Sequence, residues 1–193
     1  MGFARCAALL VGWVALLAGC RVPPERNPPP ALSAPAIVSV VLSDAHPLAG
    51  AARLAVRRLN ESRAPSERPV QLEIGPRASA GQVLVPVTAD APGSFAGLIL
   101  VPRRGSLPES HQVDPAMPLD LLGDDLLAAH ALGLYDAVLL AGVVARSGPD
   151  ATADLLVARL RATAGRFALG EISYAQSLEP PLGPSAIVRE LPR

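Results

Sequence analysis

No lysine occurs in this 193-residue chain, and cysteine (2), tryptophan (1), tyrosine (2) and phenylalanine (3) are nearly missing. Each scarcity excludes something. Two cysteines cannot build a disulfide framework or a cysteine-rich zinc site. An aromatic content of 3% leaves little platform for stacking bases or sugar rings. Seventeen arginines balance 17 acids, so the excess of cations that displaces counterions from a nucleic acid is lacking and no nucleic-acid partner is expected. The HExxH, GxGxxG, phosphate-loop and GxSxG patterns are absent; Gly93-Ser94-Phe95-Ala96-Gly97 places its serine one position early for the last of these. The expectation is a non-enzymatic protein with no catalytic residue, metal or cofactor.

What is abundant is apolar surface, half of the residues, and proline, 21 of them. The N-terminus concentrates both. Arg5 precedes an apolar run, Ala7 to Leu17, that is too short to span a hydrocarbon core of about 30 Å. Leu17-Ala18-Gly19-Cys20 resembles the lipobox of bacterial lipoproteins, in which cleavage before the cysteine is coupled to acylation of its thiol. That resemblance implies a signal peptide over 1–19, lipid attachment at Cys20, and a mature chain of 174 residues with 16 arginines against 17 acids. Acyl chains contribute about 0.8 kcal/mol per buried CH₂, and several on one cysteine anchor firmly. The expected location is the cell envelope, facing the periplasm or exterior. Arg21 follows Cys20 where aspartate would retain an enteric-type lipoprotein at the inner membrane, so the outer membrane is favoured in a double-membraned cell.

Residues 20–35 form a proline-rich tether containing Pro28-Pro29-Pro30, a semi-rigid spacer of about 40 Å at polyproline rise. Residues 36–193 then have the length of one domain. The nearly continuous apolar run Ala36 to Ser43 predicts a strand covered on both faces. Leu48, Ala52, Ala55 and Leu59 recur at helical spacing over Pro47 to Asn60, and Val70 to Ile74 is a second strand. This β-α-β opening predicts an α/β fold: a single open, mainly parallel sheet with flanking helices. Strands are expected over Gln82 to Thr88 and Ala96 to Val101, separated by the turn Asp90-Ala91-Pro92-Gly93, with irregular chain over Arg103 to Met117. A strongly apolar helix is expected over Leu121 to Ala145, a further helix over Asp150 to Ala164, and closing strands over Leu169 to Ala175 and Ser185 to Leu191. His130 and Asp136 interrupt the apolar helix, and a central Asp costs roughly 2.5–3.5 kcal/mol on insertion scales, which favours a buried helix over a membrane span.

Candidate site residues are few. Ser43, Asp44 and His46 follow the first strand, and in open parallel sheets ligands bind beyond the carboxyl ends of strands. The same residues serve as ordinary turn and N-cap residues. His130 is expected as a hydrogen-bonded core residue. Asp124 and Asp125 are expected as first-turn acids of a helix. Arg53, Arg57, Arg58, Arg63 and Arg68, interleaved with Glu61 and Glu67, read as a solvated face.

Two blocks of the chain resemble the periplasmic solute-binding proteins of branched-chain amino-acid ABC transporters. Ile37-Val38-Ser39-Val40-Val41-Leu42-Ser43, then Pro47 to Val56 with Leu59-Asn60, is similar to that family's first strand, ligand loop and helix, and Val70 to Ile74 to its second strand. Leu134 to Leu140, Leu156 to Thr163 and Phe167 to Tyr174 are similar to its late helices and closing strand. The resemblance implies a reduced lobe of that architecture, with Ser43, His46 and Ser79 in ligand-facing loops. Family members carry two lobes and about twice this length. The partners implied are the membrane, through acylated Cys20, a small polar solute, and a transporter or envelope protein. The alternative is a structural or partner-binding envelope lipoprotein without a solute site.

Overall fold

The structure, a computed structural model, describes residues 34–78, 80–87, 95–146, 148 and 151–190. The expected signal segment, Cys20, most of the tether, Ser79 and the turn at residues 90–93 lie outside the described residues.

Alternation within the strands sets the layers. In β1 (Ala36–Val41), Ala36, Val38 and Val40 enter the main core, while Ser39 and Val41 face the other way. The same parity divides β3 (Val83–Pro86) and β4 (Gly97–Val101): Val83, Val85, Leu98 and Leu100 join the main core, and Leu84 and Ile99 join Val41 and Phe95 in a second, smaller cluster. With β2 (Val70–Gly75) and β7 (Ser185–Arg189) these strands form a five-stranded sheet of order β2-β1-β3-β4-β7. The first four are parallel and β7 is antiparallel, with Gly97 opposite Arg189 and Val101 opposite Ser185. The fold is α/β, with a mostly parallel sheet and flanking helices.

Three helices share the face that carries the main core. Helix α1 (Ala49–Glu61) buries Ala52, Ala55 and Leu59, and its N-cap residue Leu48 is buried with them, the stripe expected from their spacing. Helix α2 (Asp125–Ala145) is apolar around most of its girth because it packs against α1, α3 and strands β1 and β3. It is long and apolar enough to cross a membrane, yet it serves here as the central core helix. Its start differs from the expected one. Leu119–Leu122 forms a separate 3₁₀ turn, and the Asp124 carboxylate then caps α2 by accepting from the Leu126 and Leu127 N–H groups at 2.9 and 3.0 Å. Helix α3 (Ala153–Arg161) is capped by Thr152 and buries Leu156 and Leu160.

On the opposite face of the sheet the described contacts come from irregular chain, Phe95 and the Ala80-Gly81 segment, and among the described residues no helix packs there. The β2-to-β3 connection crosses β1 within seven residues, 76–82. A polar pin holds it there: buried Ser39 donates to Glu73 at 2.6 Å and accepts from the Gly81 N–H at 2.9 Å, and Glu73 also accepts from the Ala80 N–H. Gly81 permits this approach, since a Cβ there would lie 2.3 Å from the Ile37 carbonyl oxygen.

Near the C-terminus the structure corrects two expectations. The helix expected to reach Ala164 stops at Arg161, and the strand expected over Leu169 to Ala175 lies outside the main sheet. Instead, β5 (Ala164–Phe167) and β6 (Gly170–Ser173) pair as a separate antiparallel hairpin. The reason is Asp136. Fully buried in α2, its carboxylate accepts the N–H groups of Ala168 and Leu169, both at 2.9 Å, so the hairpin turn docks on the helix instead of joining the sheet. Burial outweighs these hydrogen bonds and pushes the carboxyl up to about 6. Beside it, the buried Tyr174 hydroxyl donates to the Pro184 carbonyl at 2.7 Å, and burial raises that phenol well above its ordinary range.

Candidate functional site

The strand order reverses between β1 and β3: chain leaving β1 turns through α1 toward β2, whereas chain leaving β3 continues to β4 on the other side. Such a switch point opens a crevice beyond the carboxyl ends of the strands. A cleft of about 330 Å³ occupies that position.

Each wall has a local cause. After β1, the chain turns through Ser43 to Pro47, with the His46 N–H donating to the Ser43 carbonyl at 2.9 Å and the His46 carbonyl accepting from Ala49. Helix α1 has Leu48 at its N-cap, which offers no capping oxygen. The His46 ring supplies the acceptor instead, its Nδ1 taking the Leu48 N–H at 3.2 Å. That bond leaves the imidazole proton on Nε2, so half-buried His46 is a donor on the cleft wall.

The second wall comes from the ends of β3 and β4. Pro86 and Val87 follow β3, and Pro102, Arg103 and Arg104 follow β4. Arg104 donates to the Val87 carbonyl at 2.8 Å and Arg103 to the Ser106 carbonyl at 3.2 Å; each guanidinium has five N–H groups. The third wall is α2, where His130 and Leu134 sit one turn apart. Gly133 sets the spacing between these walls. A Cβ at this helical position would stand 2.4 Å from the Arg103 carbonyl oxygen, so only glycine lets residues 102–104 lie against the helix.

Of the residues singled out in the sequence, His46 lines this cleft. Ser43 and Asp44 are exposed and do not line it; Asp44 pairs with exposed Arg53. Ser79 lies outside the described residues. His130, expected in the core, is half-buried and lines the cleft, because its side of α2 meets the loop after β4 and not the sheet. Arg103 and Arg104 were not anticipated as wall residues. Their signal was available: two cations directly after a predicted parallel strand stand where ligands bind.

A second polar cluster is structural. Asp114 accepts from Arg58 Nε and Nη2, both at 2.8 Å, from the Tyr135 hydroxyl at 3.0 Å, and from the Ala116 N–H at 2.9 Å. It thereby fastens irregular chain to both α1 and α2. The Arg58 hydrogen bonds hold the Asp114 carboxyl well below its usual range, and burial followed by the Asp114 contact raises the Tyr135 phenol. Several arginines of the expected solvated face are similarly occupied. Arg58 pairs with Asp114 and Glu61, Arg63 donates to the Glu67 carbonyl, and Arg68 donates to the carbonyls of Ala34 and Pro35. Among the described residues no cluster of three or more His, Cys, Asp or Glu side chains is arranged to hold a metal ion.

No protein family, curated protein or solved structure matches this chain.

Proposed function

We propose that this chain is a lipid-anchored extracytoplasmic binding protein whose switch-point cleft takes a small polar solute. The observation that supports this best is the convergence of four donor-bearing side chains, His46, His130, Arg103 and Arg104, from three different elements on a cleft of about 330 Å³ that also has apolar walls. A volume near 300 Å³ and a mixed lining are ordinary for a small-molecule site. The resemblance of the β1-to-α1 segment to the ligand loop of solute-binding proteins supports the same reading from the sequence, and the Leu17-to-Cys20 motif supports the anchor.

Two measurements test the proposal. Full-length protein in detergent, screened against a panel of small metabolites, is expected to show a melting temperature that rises with free ligand; at 100 times Kd the gain is about 2.7 kcal/mol. His46→Ala should weaken that response at least tenfold. A flat response across the panel, with one specific envelope protein recovered by pull-down, would replace the solute by a protein partner. For the anchor, Cys20→Ser should release the protein from the membrane fraction. Continued sedimentation of the variant with membranes would overturn lipid attachment.

A further inference from the structure

We infer that the cleft selects a small carboxylate with an apolar body and no ammonium group, an inference that rests on the binding role proposed above. The lining is one-sided in its chemistry. His46 presents an Nε2–H donor, Arg103 and Arg104 carry fixed positive charge, and His130 adds a second imidazole, while Leu48 and Leu134 supply apolar surface. Among the described residues no carboxylate lines the cleft. The nearest acid in sequence to His46, Asp44, is exposed outside the lining and is engaged by Arg53. An anionic head therefore meets donors matched to carboxylate geometry, since guanidinium groups bond carboxylates through a planar fork. Among the described residues an α-ammonium group would enter beside two guanidinium groups and meet no counter-charge in the lining, and like-charge juxtaposition is how a site rejects a near-isostere.

The inference thus departs from the substrate that the resemblance to amino-acid-binding proteins would suggest. Leucine and 4-methylpentanoate share a carbon skeleton and differ at the ammonium group, which makes them a matched pair. The test is a ligand-observed NMR titration of full-length protein in detergent with 4-methylpentanoate, leucine, 4-methylpentanamide and 3-methylbutyl phosphate. The carboxylate is expected to bind at least tenfold more tightly than leucine and than the amide, and its affinity should fall as salt rises. Arg104→Gln, at an exposed position, should weaken carboxylate binding at least fivefold, with only a small fall in melting temperature from the lost bond to the Val87 carbonyl. Equal or tighter binding of leucine or the amide would overturn the selectivity while keeping the cleft as a binding site. A preference for the phosphate ester would overturn the carboxylate head. Saturable binding of only a neutral or cationic panel compound, abolished by His46→Ala, would also reject the anion and retain the site. If neither these four nor any panel compound binds, the selectivity and the binding role fail together.

Discussion

Asp136→Ala lowers the unfolding free energy by about 2–4 kcal/mol at pH 7, because two buried N–H groups lose their acceptor at about 1–3 kcal/mol each and part of that loss is offset by removing a desolvated charge. The groups are the amides of Ala168 and Leu169 at the hairpin turn. The effect is also pH-dependent, in a direction that follows from the carboxyl being pushed up to about 6 by burial. In the unfolded chain the same group ionises near 3.9. Between these values the native state binds the extra proton, so stability from this group is present in full below about 4 and is lost as pH rises through 6, on the order of 3 kcal/mol in all. The gap between the parent protein and Asp136→Ala should therefore widen as pH is lowered from 7 to 4.5 in paired urea titrations. A gap that narrows would mean that the carboxylate's hydrogen bonds outweigh its burial. Asp114 acts with the opposite sign: held below its usual range by Arg58, it loses its contribution only as pH falls through the carboxylate range. Comparing variants at the same pH cancels that background.

Gly133→Ala should damage ligand binding through a single added methyl group. The added Cβ meets backbone, not a flexible side-chain end, so residues 102–104 must move away from α2. Overpacking of this kind costs about 1–3 kcal/mol, against which alanine's better helix propensity returns up to about 1 kcal/mol. Stability therefore falls modestly, while the cleft loses the placement of Arg103 and Arg104 and ligand affinity drops at least tenfold. Gly123→Ala is the control, since a Cβ there meets nothing nearer than 4.0 Å and its backbone is helical. Unchanged affinity in Gly133→Ala would show that the arginine loop does not form the wall.

The sequence displayed the five-stranded sheet and its three helices, within a few residues at their ends, because their signals are local. Five apolar residues in seven over Ile37 to Ser43, and the spacing of Leu48, Ala52, Ala55 and Leu59, each describe an element whose buried side is written into its own residues. What it hid depends on partners distant in the chain. The strand expected over Leu169 to Ala175 was readable from its own residues, but its docking on α2 depends on the Asp136 carboxylate, 32 residues earlier than Ala168. His130 looked like core because every neighbour on α2 is apolar, and its exposure depends on what lies against that side of the helix. The site was half legible. The loop after β1 could be placed from the β-α-β pattern, whereas the arginines after β4 needed the strand order, which hydrophobic periodicity does not encode. Gly133 carried a readable clue, since an interior helix glycine often marks a close approach of backbone.

The antiparallel strand β7 has a consequence for how the chain reaches its native state. It pairs with β4 across a separation of 92 residues at Gly97 and Arg189, with α2, α3 and the hairpin all lying between. The β1-α1-β2 unit closes over a short stretch of chain, so it is expected to form before β7 adds. During synthesis or refolding, Leu98, Ile99 and Leu100 therefore wait on an unpaired sheet edge until the last strand arrives. An apolar open edge of this kind is a template for pairing with another molecule. Slow addition of β7 is expected to set the interval in which this protein is most prone to aggregate, which refolding yields measured at rising protein concentration would show.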